Sequence, residues 1–273
     1  METKSNYKRM LRSIVKDDTK PEDPFKTVRG VVNILGSTDA ELRDELGYGA
    51  LIELLIHQKQ LSHEELRILW LDALSDQQLF FKIGEEGTDS VFRRSFTSLL
   101  ITLLIHRDHQ DHFLNERDFQ VMLESLIDYC QLERDDRGFV KNKGWAHAPA
   151  HVADAIVECV VHRYATHDCC QELWQAILHL LNHASKVYDA DEDERLATAT
   201  TSMVTSKKIS LSTLTSWLKE VEVEKVMHKQ INRKHFVRCV CLRLLGEGLS
   251  IKDLDILYLE TLYNPVFFNT DEG

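Results

Sequence analysis

Turn-forming residues are scarce in this chain, which has only 11 glycines and 4 prolines among its 273 residues. Hairpins and the glycine-rich loops of Rossmann folds depend on such residues, so their scarcity disfavours both structures. The chain is instead rich in Leu, Glu, Lys, Arg and Ala, and 28% of its residues are charged. This composition is typical of helices. With a mass of 31.6 kDa and 43% hydrophobic residues, the chain is long enough to bury a substantial core.

Basic residues are outnumbered, because 33 Lys and Arg face 44 Asp and Glu, giving a formal net charge of −11. Nucleic-acid-binding proteins neutralise phosphates with clustered Lys and Arg, and we expect no nucleic-acid partner here. Long apolar stretches are lacking too. The stretch from Leu99 to Ile105 falls far short of the roughly 18 residues that span a bilayer, so we expect no membrane association. Residues 1–18 carry charges throughout and lack the continuous apolar segment of a secretion signal. We therefore predict a cytoplasmic location.

Paired cysteine motifs are also missing from the sequence. No CxxC pair and no zinc-finger spacing occurs, so the six cysteines are expected to be reduced thiols in a cytoplasm. They are Cys130, Cys159, Cys169, Cys170, Cys239 and Cys241.

Helix-start signals, by contrast, recur along the chain. A Ser, Thr or Asn followed three residues later by an acidic residue predicts a capping box, in which side chains and backbone amides exchange hydrogen bonds. Four such pairs occur: Ser62 with Glu65, Asn115 with Asp118, Ser250 with Asp253, and Thr38 with Glu41. Hydrophobic residues between these signals recur at helical spacing, and no convincing alternating run indicates strands.

These signals predict an all-α protein. The expected helices cover residues 3–16, 24–36, 39–58, 62–74, 89–107, 115–132, 147–164, 168–185, 190–205, 211–225, 232–247 and 250–263. From residue 39 onward a pair of helices occupies about 40 to 50 residues, the period of HEAT or armadillo units. We therefore predict a HEAT/armadillo-like stack of antiparallel helix pairs, an α-solenoid with a concave inner surface. A closed, irregular helical globule is the alternative.

The expected organisation is one all-helical domain spanning residues 1–273. Within it, residues 1–37 would form N-terminal helices, residues 38–264 the helical-repeat body, and residues 265–273 a tail.

One stretch, GWAHAPAHVAD at residues 144–154, has the spacing of a chemical site. Pro149 fits only the first turn of a helix, where amides have no intrahelical partner. The helix should therefore begin near residue 147, which places His147, His151 and Asp154 on one face. Two imidazoles and a carboxylate in this arrangement could be partial ligands of a divalent metal, and Asp154 could orient His151 as a general base.

Two other interpretations of this stretch stay open. Neutral histidines near a helix N-terminus can bridge packed helices, and the neighbouring alanines suit close helix contact. Alternatively, the same face could line a groove that receives a ligand or partner without catalysis. The expected lining residues of that groove are Arg93, Arg134, Arg137, Lys143, Trp145, His147, His151 and Asp154. The four basic residues among them could capture an anion, or could form internal ion pairs.

The run from Glu133 to Ala155, ERDDRGFVKNKGWAHAPAHVADA, resembles an uncharacterised bacterial family known as domain of unknown function 2785. Shorter stretches agree with this resemblance, namely residues 42–46, 61–66, 89–96 and 193–197. The resemblance spans most of the chain, and its Gly-Trp-Ala-His element is distinctive. It implies an all-helical, HEAT-like fold in a bacterial cytoplasm, and it implies no activity.

Two functions therefore compete. The first is a non-catalytic helical-repeat binding or scaffold protein, with a groove around residues 144–154 that receives an unidentified protein or small ligand. The second is a metal-dependent hydrolase that uses His147, His151 and Asp154, and it requires a further ligand from a neighbouring helix.

Overall fold

The structure is a computed structural model that describes residues 4–220, 226–254 and 257. The described chain is predominantly helical, as predicted, so the fold is all-α. Its α-helices are α1 Lys4–Asp17, α2 Pro24–Ile34, α3 Gly49–Ile52, α4 His63–Ala73, α5 Ser90–Asp111, α6 Glu116–Leu132, α7 Ala148–Val161, α8 His167–His183, α9 Glu192–Thr205, α10 Leu211–Glu220 and α11 Met227–Gly246. The strands β1 Phe139–Val140 and β2 Gly144–Trp145 form an antiparallel hairpin between α6 and α7.

The helix predictions differ from the structure at a few places. The predicted helix at residues 39–58 is a composite, in which π-helical stretches Glu41–Tyr48 and Glu53–His57 flank the short α3. Helix α5 continues to Asp111, beyond the predicted end at residue 107, and an Arg107–Asp111 ion pair of 2.5 Å spans its last turn. The hairpin was not predicted at all. Parts of the predictions for residues 211–225 and 250–263, and the tail at 265–273, lie outside the described residues.

Three of the four predicted capping boxes form, with side chain and backbone exchanging hydrogen bonds in each: Ser62 with Glu65, Asn115 with Asp118, and Ser250 with Asp253. The fourth prediction, Thr38 with Glu41, is wrong. Asp39 takes the capping role instead, and its carboxylate accepts the Leu42 amide at 3.1 Å. The Glu41 carboxylate binds Lys8 of α1 at 2.7 Å, so this acidic residue joins two helices rather than capping one.

Helices two positions apart in the chain lie side by side. Helix α5 packs against α7, α7 against α9, and α9 against α11, while α6 packs against α8. Helices α7 and α9 run in the same direction. Asp154 contacts Arg195 near the start of α9, and the Val160 carbonyl near the end of α7 accepts a hydrogen bond from Lys208, just beyond the end of α9.

A continuous apolar core connects these helices from Leu11 to Leu257 within the described residues. It includes Trp70 and Trp174, two of the largest fully buried side chains. All six cysteines are free thiols, and only Cys239 is not fully buried. No helix in the described part of the chain combines the length and apolar character needed to cross a membrane.

A buried ion pair joins α5 to the end of α6. The Arg94 guanidinium donates to both carboxylate oxygens of Glu133, at 2.6 and 2.8 Å, and neither side chain is exposed. Its remaining N–H groups reach backbone carbonyls of Phe81, Lys82 and Glu85, each at 3.1 Å. Every donor of the guanidinium therefore faces an acceptor, which is the condition under which a buried charge is tolerated.

Breaking this pair should strongly destabilise the protein. Arg94→Met leaves the Glu133 carboxylate buried without its counter-charge, and we expect the free energy of unfolding to fall by about 3 to 5 kcal/mol. Urea denaturation measures this change. Arg134→Met is the control, since the exposed Arg134 side chain contacts only nearby carbonyls, and it should change stability by about 0.5 kcal/mol or less. Equal losses in the two variants would contradict the role given to Arg94.

Candidate functional site

The predicted motif begins in the hairpin rather than in a helix. Phe139 pairs with Trp145 and Val140 with Gly144, and the turn between them places Asn142 and Gly144 at positive φ. Two further backbone bonds follow this pairing, from the Ala146 amide to Gly138 and from the His147 amide to Arg137, at 2.9 and 2.8 Å. The hairpin thus continues as a paired segment up to the start of α7.

A buried cation, Arg43, also binds the backbone of the hairpin. Arg43, in the first π-helical stretch, donates to the carbonyls of Lys143 and Trp145 at 2.7 and 3.3 Å. The guanidinium is fully buried and stacks on Phe92 and Phe96, with its carbon 4.1 and 4.7 Å from the two ring centres. Hydrogen bonds, aromatic contact and burial therefore all fix β2 against the N-terminal part of the chain.

Gly144 occupies a position that has no room for a side chain. Its φ is +81°, and an added Cβ atom would lie 2.6 Å from the Asp44 carboxylate and 2.7 Å from the Ala40 Cβ. The close approach of the hairpin to Arg43 and Asp44 thus requires glycine here, both for conformation and for space.

The acidic residues before the hairpin are buried and bonded to other loops. Asp135 accepts the Gly87 amide at 3.0 Å and pairs with Arg137 at 2.7 Å. Asp136 accepts the amide of Ser185 at 2.6 Å, from the connection between α8 and α9. The connection from α6 to α7 is therefore anchored to two other connections, and it is not a solvated loop.

His147 lies at the N-cap of α7, in a left-handed conformation with φ 53°. Its Nε2 is 2.5 Å from the Ala190 carbonyl, which only accepts, so Nε2 carries the proton. The ring stacks on Trp145 with centroids 4.9 Å apart. Burial lowers the pKa of His147, so the neutral form is favoured. The carboxylate of Glu192, itself buried, is 3.6 Å from the same Nε2.

His151 faces the core rather than a cleft. The ring is buried edge-to-face against Phe96 at 5.1 Å, and it lies 5.3 Å from the His147 ring. Burial lowers the pKa of His151 well below its usual value, because the charged ring would lose its hydration. This environment is that of a packing residue, which is the structural interpretation left open above.

Asp154 does not turn toward the two histidines. Its carboxylate binds Arg195 of α9 at 2.5 Å, so it joins two helices. Across residues 4–220, 226–254 and 257, no group of three or more His, Cys, Asp or Glu is arranged to hold a metal ion. This geometry does not favour the proposed metal centre at His147, His151 and Asp154.

The four basic residues of the predicted groove are each bonded to other groups of the protein. Arg137 bonds Asp135, and the Lys143 amine binds both oxygens of Asp89 at 2.7 and 2.9 Å. Arg93 turns to α2, where it donates to the Asn33 carbonyl at 3.2 Å. Arg134 donates to the carbonyls of Gln131 and Glu133, at the end of α6, at 2.7 and 3.0 Å. Internal bonds therefore engage each of these four cations.

The hairpin also exposes an aromatic pair to solvent. Phe139 is 62% exposed and Trp145 is 40% exposed, and their rings meet edge-to-face at 5.1 Å. We call Phe139, Trp145 and the His147 ring behind them the aromatic patch. Sequence reasoning missed Phe139, although Asn142 and Gly144 between the two aromatics are turn-forming residues that could have indicated a hairpin. It also missed Arg43, which lies 100 residues from its bonding partner Lys143.

Residues 79–244, more than half of the chain, match the model of a family described as "Protein of unknown function (DUF2785)". This match confirms the resemblance seen in the run from Glu133 to Ala155. No curated protein and no solved structure matches the chain.

The space around Gly144 generates a stability prediction. Gly144→Ala adds a methyl group against Asp44 and Ala40 at an unfavourable φ, and we expect it to cost about 2 to 4 kcal/mol. Gly87→Ala is the matched control, because Gly87 has φ +73° but nothing within 4 Å of the added atom. Gly87→Ala should cost only about 1 kcal/mol, which is the cost of placing alanine at a positive φ without a steric clash. Thermal or urea unfolding compares the two, and similar costs would show that the hairpin yields to the methyl group.

Burial of His151 generates a pH prediction. The pKa of His151 in the folded protein lies well below 6.5, its usual value, so the unfolded chain binds the proton more tightly. The stability that the neutral, buried His151 contributes to the folded protein is therefore fully present above pH 6.5 and is lost as the pH falls below 6.5. His151→Gln removes the titration but keeps an amide nitrogen near the Nε2 position. Between about pH 7.5 and 5.5 the original protein should lose about 1 kcal/mol more stability than this variant. Parallel pH profiles in urea unfolding would be inconsistent with a buried neutral His151.

Proposed function

We propose that this chain, which belongs to the DUF2785 family, is a non-catalytic binding or scaffold protein that recognises a partner through its aromatic patch. The partner is a protein or a small ligand. The proposal includes a HEAT-like stack of helix pairs as the frame that carries this surface.

The order in which the helices pack supports the HEAT-like part of the proposal. Helices α5, α7, α9 and α11 contact one another in sequence, and α6 and α8 contact each other. In a stack of antiparallel pairs, alternate helices form one layer and the helices between them form the other. The packing of α5, α6, α7, α8, α9 and α11 follows this rule.

The exposed aromatic pair is the observation that carries the binding proposal. Large aromatic side chains are enriched among the residues that dominate binding energy at interfaces. Phe139 and Trp145 are exposed although the hairpin beneath them is fixed by Arg43 and Gly144. A surface that is already ordered loses little conformational entropy on binding, which favours affinity.

The competing hydrolase hypothesis lacks a comparable observation. Asp154 is engaged with Arg195, and His151 packs in the core. The described residues offer no convergent set of metal ligands, so we do not pursue the hydrolase as a second candidate.

A capture experiment tests the proposal. The immobilised full-length chain is incubated with a lysate of its source organism, beside the variant Phe139→Ala/Trp145→Ala. We expect a partner that is retained by the original chain and lost, by about tenfold or more, with the double variant. Because both side chains project from the hairpin, unfolding curves of the two proteins should agree within about 1 to 2 kcal/mol.

The matched control is Leu71→Ala/Leu242→Ala, which removes two apolar side chains that are 63% and 69% exposed on α4 and α11. This control should retain the partner. Equal loss of the partner in both double variants would mean that general hydrophobicity causes capture, and it would overturn the role of the aromatic patch.

A further inference from the structure

An acidic rim borders the aromatic patch. An added Cβ on Gly138, the residue before Phe139, would lie 3.3 Å from the Asp189 carboxylate. Asp191 follows the Ala190 carbonyl that holds His147, and its charge acts on the His147 ring together with that of Asp189. The Asp189 side chain is 65% exposed, and Asp191 is exposed too. Two accessible carboxylates thus lie next to Gly138, the neighbour of Phe139 in the chain, and next to the His147 ring that stacks on Trp145.

The indole of Trp145 is open to a flat cation. His147 stacks against the ring with an angle of 25° between the planes, and Phe139 stands at 79° to it. The exposed remainder of the indole adjoins the Phe139 ring, so that the two rings form two sides of a corner. Trp is the aromatic side chain that binds cations best, and a planar guanidinium also stacks on it.

Among the described residues, the nearby cations are bonded to other groups. Arg195, whose charge also acts on the His147 ring, is held by Asp154 at 2.5 Å. The Lys143 amine is held by Asp89 at 2.7 Å.

Lys186 pairs with Asp189 at 2.9 Å, but this contact joins a half-buried and an exposed side chain three residues apart. Such a surface pair is weak and exchanges readily with a competing cation. Lys141 is exposed on the hairpin turn and opposes a cationic ligand, while the net charge of −11 favours one.

We propose that the aromatic patch and the carboxylates of Asp189 and Asp191 bind an arginine side chain presented by a basic segment of a partner protein. The guanidinium stacks on Trp145 against the edge formed by Phe139, and its N–H groups donate to the two carboxylates. This inference rests on the proposed binding function and names the chemistry of the partner.

Arginine is favoured over the other candidates for a physical reason. Lysine carries a compact and strongly hydrated charge that neither stacks nor donates in a fork. Proline-rich segments use aromatic grooves but gain nothing from a rim of carboxylates. Of these candidates, only arginine both stacks on the aromatic rings and donates in a fork to the carboxylates.

Tryptophan fluorescence provides a direct assay, because Trp145 is the one exposed tryptophan among the four, and all four lie in the described residues. Acrylamide quenching of the full-length chain is measured with blocked tetra-arginine, tetralysine and tetraproline peptides. We expect tetra-arginine to protect Trp145, tetralysine to bind at least about threefold more weakly, and tetraproline to protect least. Protection by tetra-arginine should weaken as salt is added.

A charge-matched pair of variants separates the acidic rim from the overall acidity of the protein. Asp189→Asn/Asp191→Asn should weaken tetra-arginine binding by about threefold or more. Asp128→Asn/Glu172→Gln removes the same charge from exposed positions on α6 and α8, and it should change binding by less than about twofold. Trp145→Leu should abolish the arginine-dependent change in quenching.

Three results would overturn the inference: equal weakening in both charge variants, equal protection by tetraproline, or protection that depends on protein concentration rather than on peptide. The last would indicate that a second copy of the chain covers the patch. If the partner captured from lysate still depends on Phe139 and Trp145 while tetra-arginine fails to bind, the proposed binding function stands and only the arginine assignment falls.

Discussion

The hairpin depends on one buried cation, the guanidinium of Arg43. It contacts the carbonyls of Lys143 and Trp145, the rings of Phe92 and Phe96, and the neighbouring Asp44. A charge in this environment is tolerated only while all of these groups keep their positions, because an unpaired buried charge costs several kcal/mol. The π-helical stretch, the start of α5 and the hairpin are therefore fixed relative to one another.

Buried charges also fix the connection between α6 and α7 through its acidic residues. Glu133, Asp135 and Asp136 are buried, and each accepts hydrogen bonds from a different neighbour: Arg94 of α5, the amide of Gly87, and the amide of Ser185. The connection between α6 and α7 is thus tied to two other interhelical connections. Its inward groups are bonded within the protein, whereas Phe139 and Trp145 are exposed and contact each other and the His147 ring.

The predictable part of the fold is the part that depends on residues close together in the sequence. Ser62 with Glu65 and Asn115 with Asp118 determine helix starts through neighbours three residues away, and the apolar spacing follows from the helical repeat. The hairpin escaped prediction because strands of two residues cannot show alternation. Arg43 and Asp189 escaped because they reach the site only through the tertiary fold. Of the predicted site, Trp145 lies at the surface with His147 stacked behind it. The orientation of Asp154 depends on Arg195, 41 residues away.

Part of the motif is buried in packing and part is exposed for recognition, and His147 lies between the two parts. Its proton is directed to the Ala190 carbonyl, and burial lowers the pKa of its ring, so a neutral imidazole stacks behind Trp145. A charged imidazole there would occupy one face of the indole with a cation and would repel a second cation from the other. The burial that makes His147 a structural residue therefore also preserves the capacity of Trp145 to attract positive charge. In this motif the buried interactions create the conditions under which the exposed ring can function.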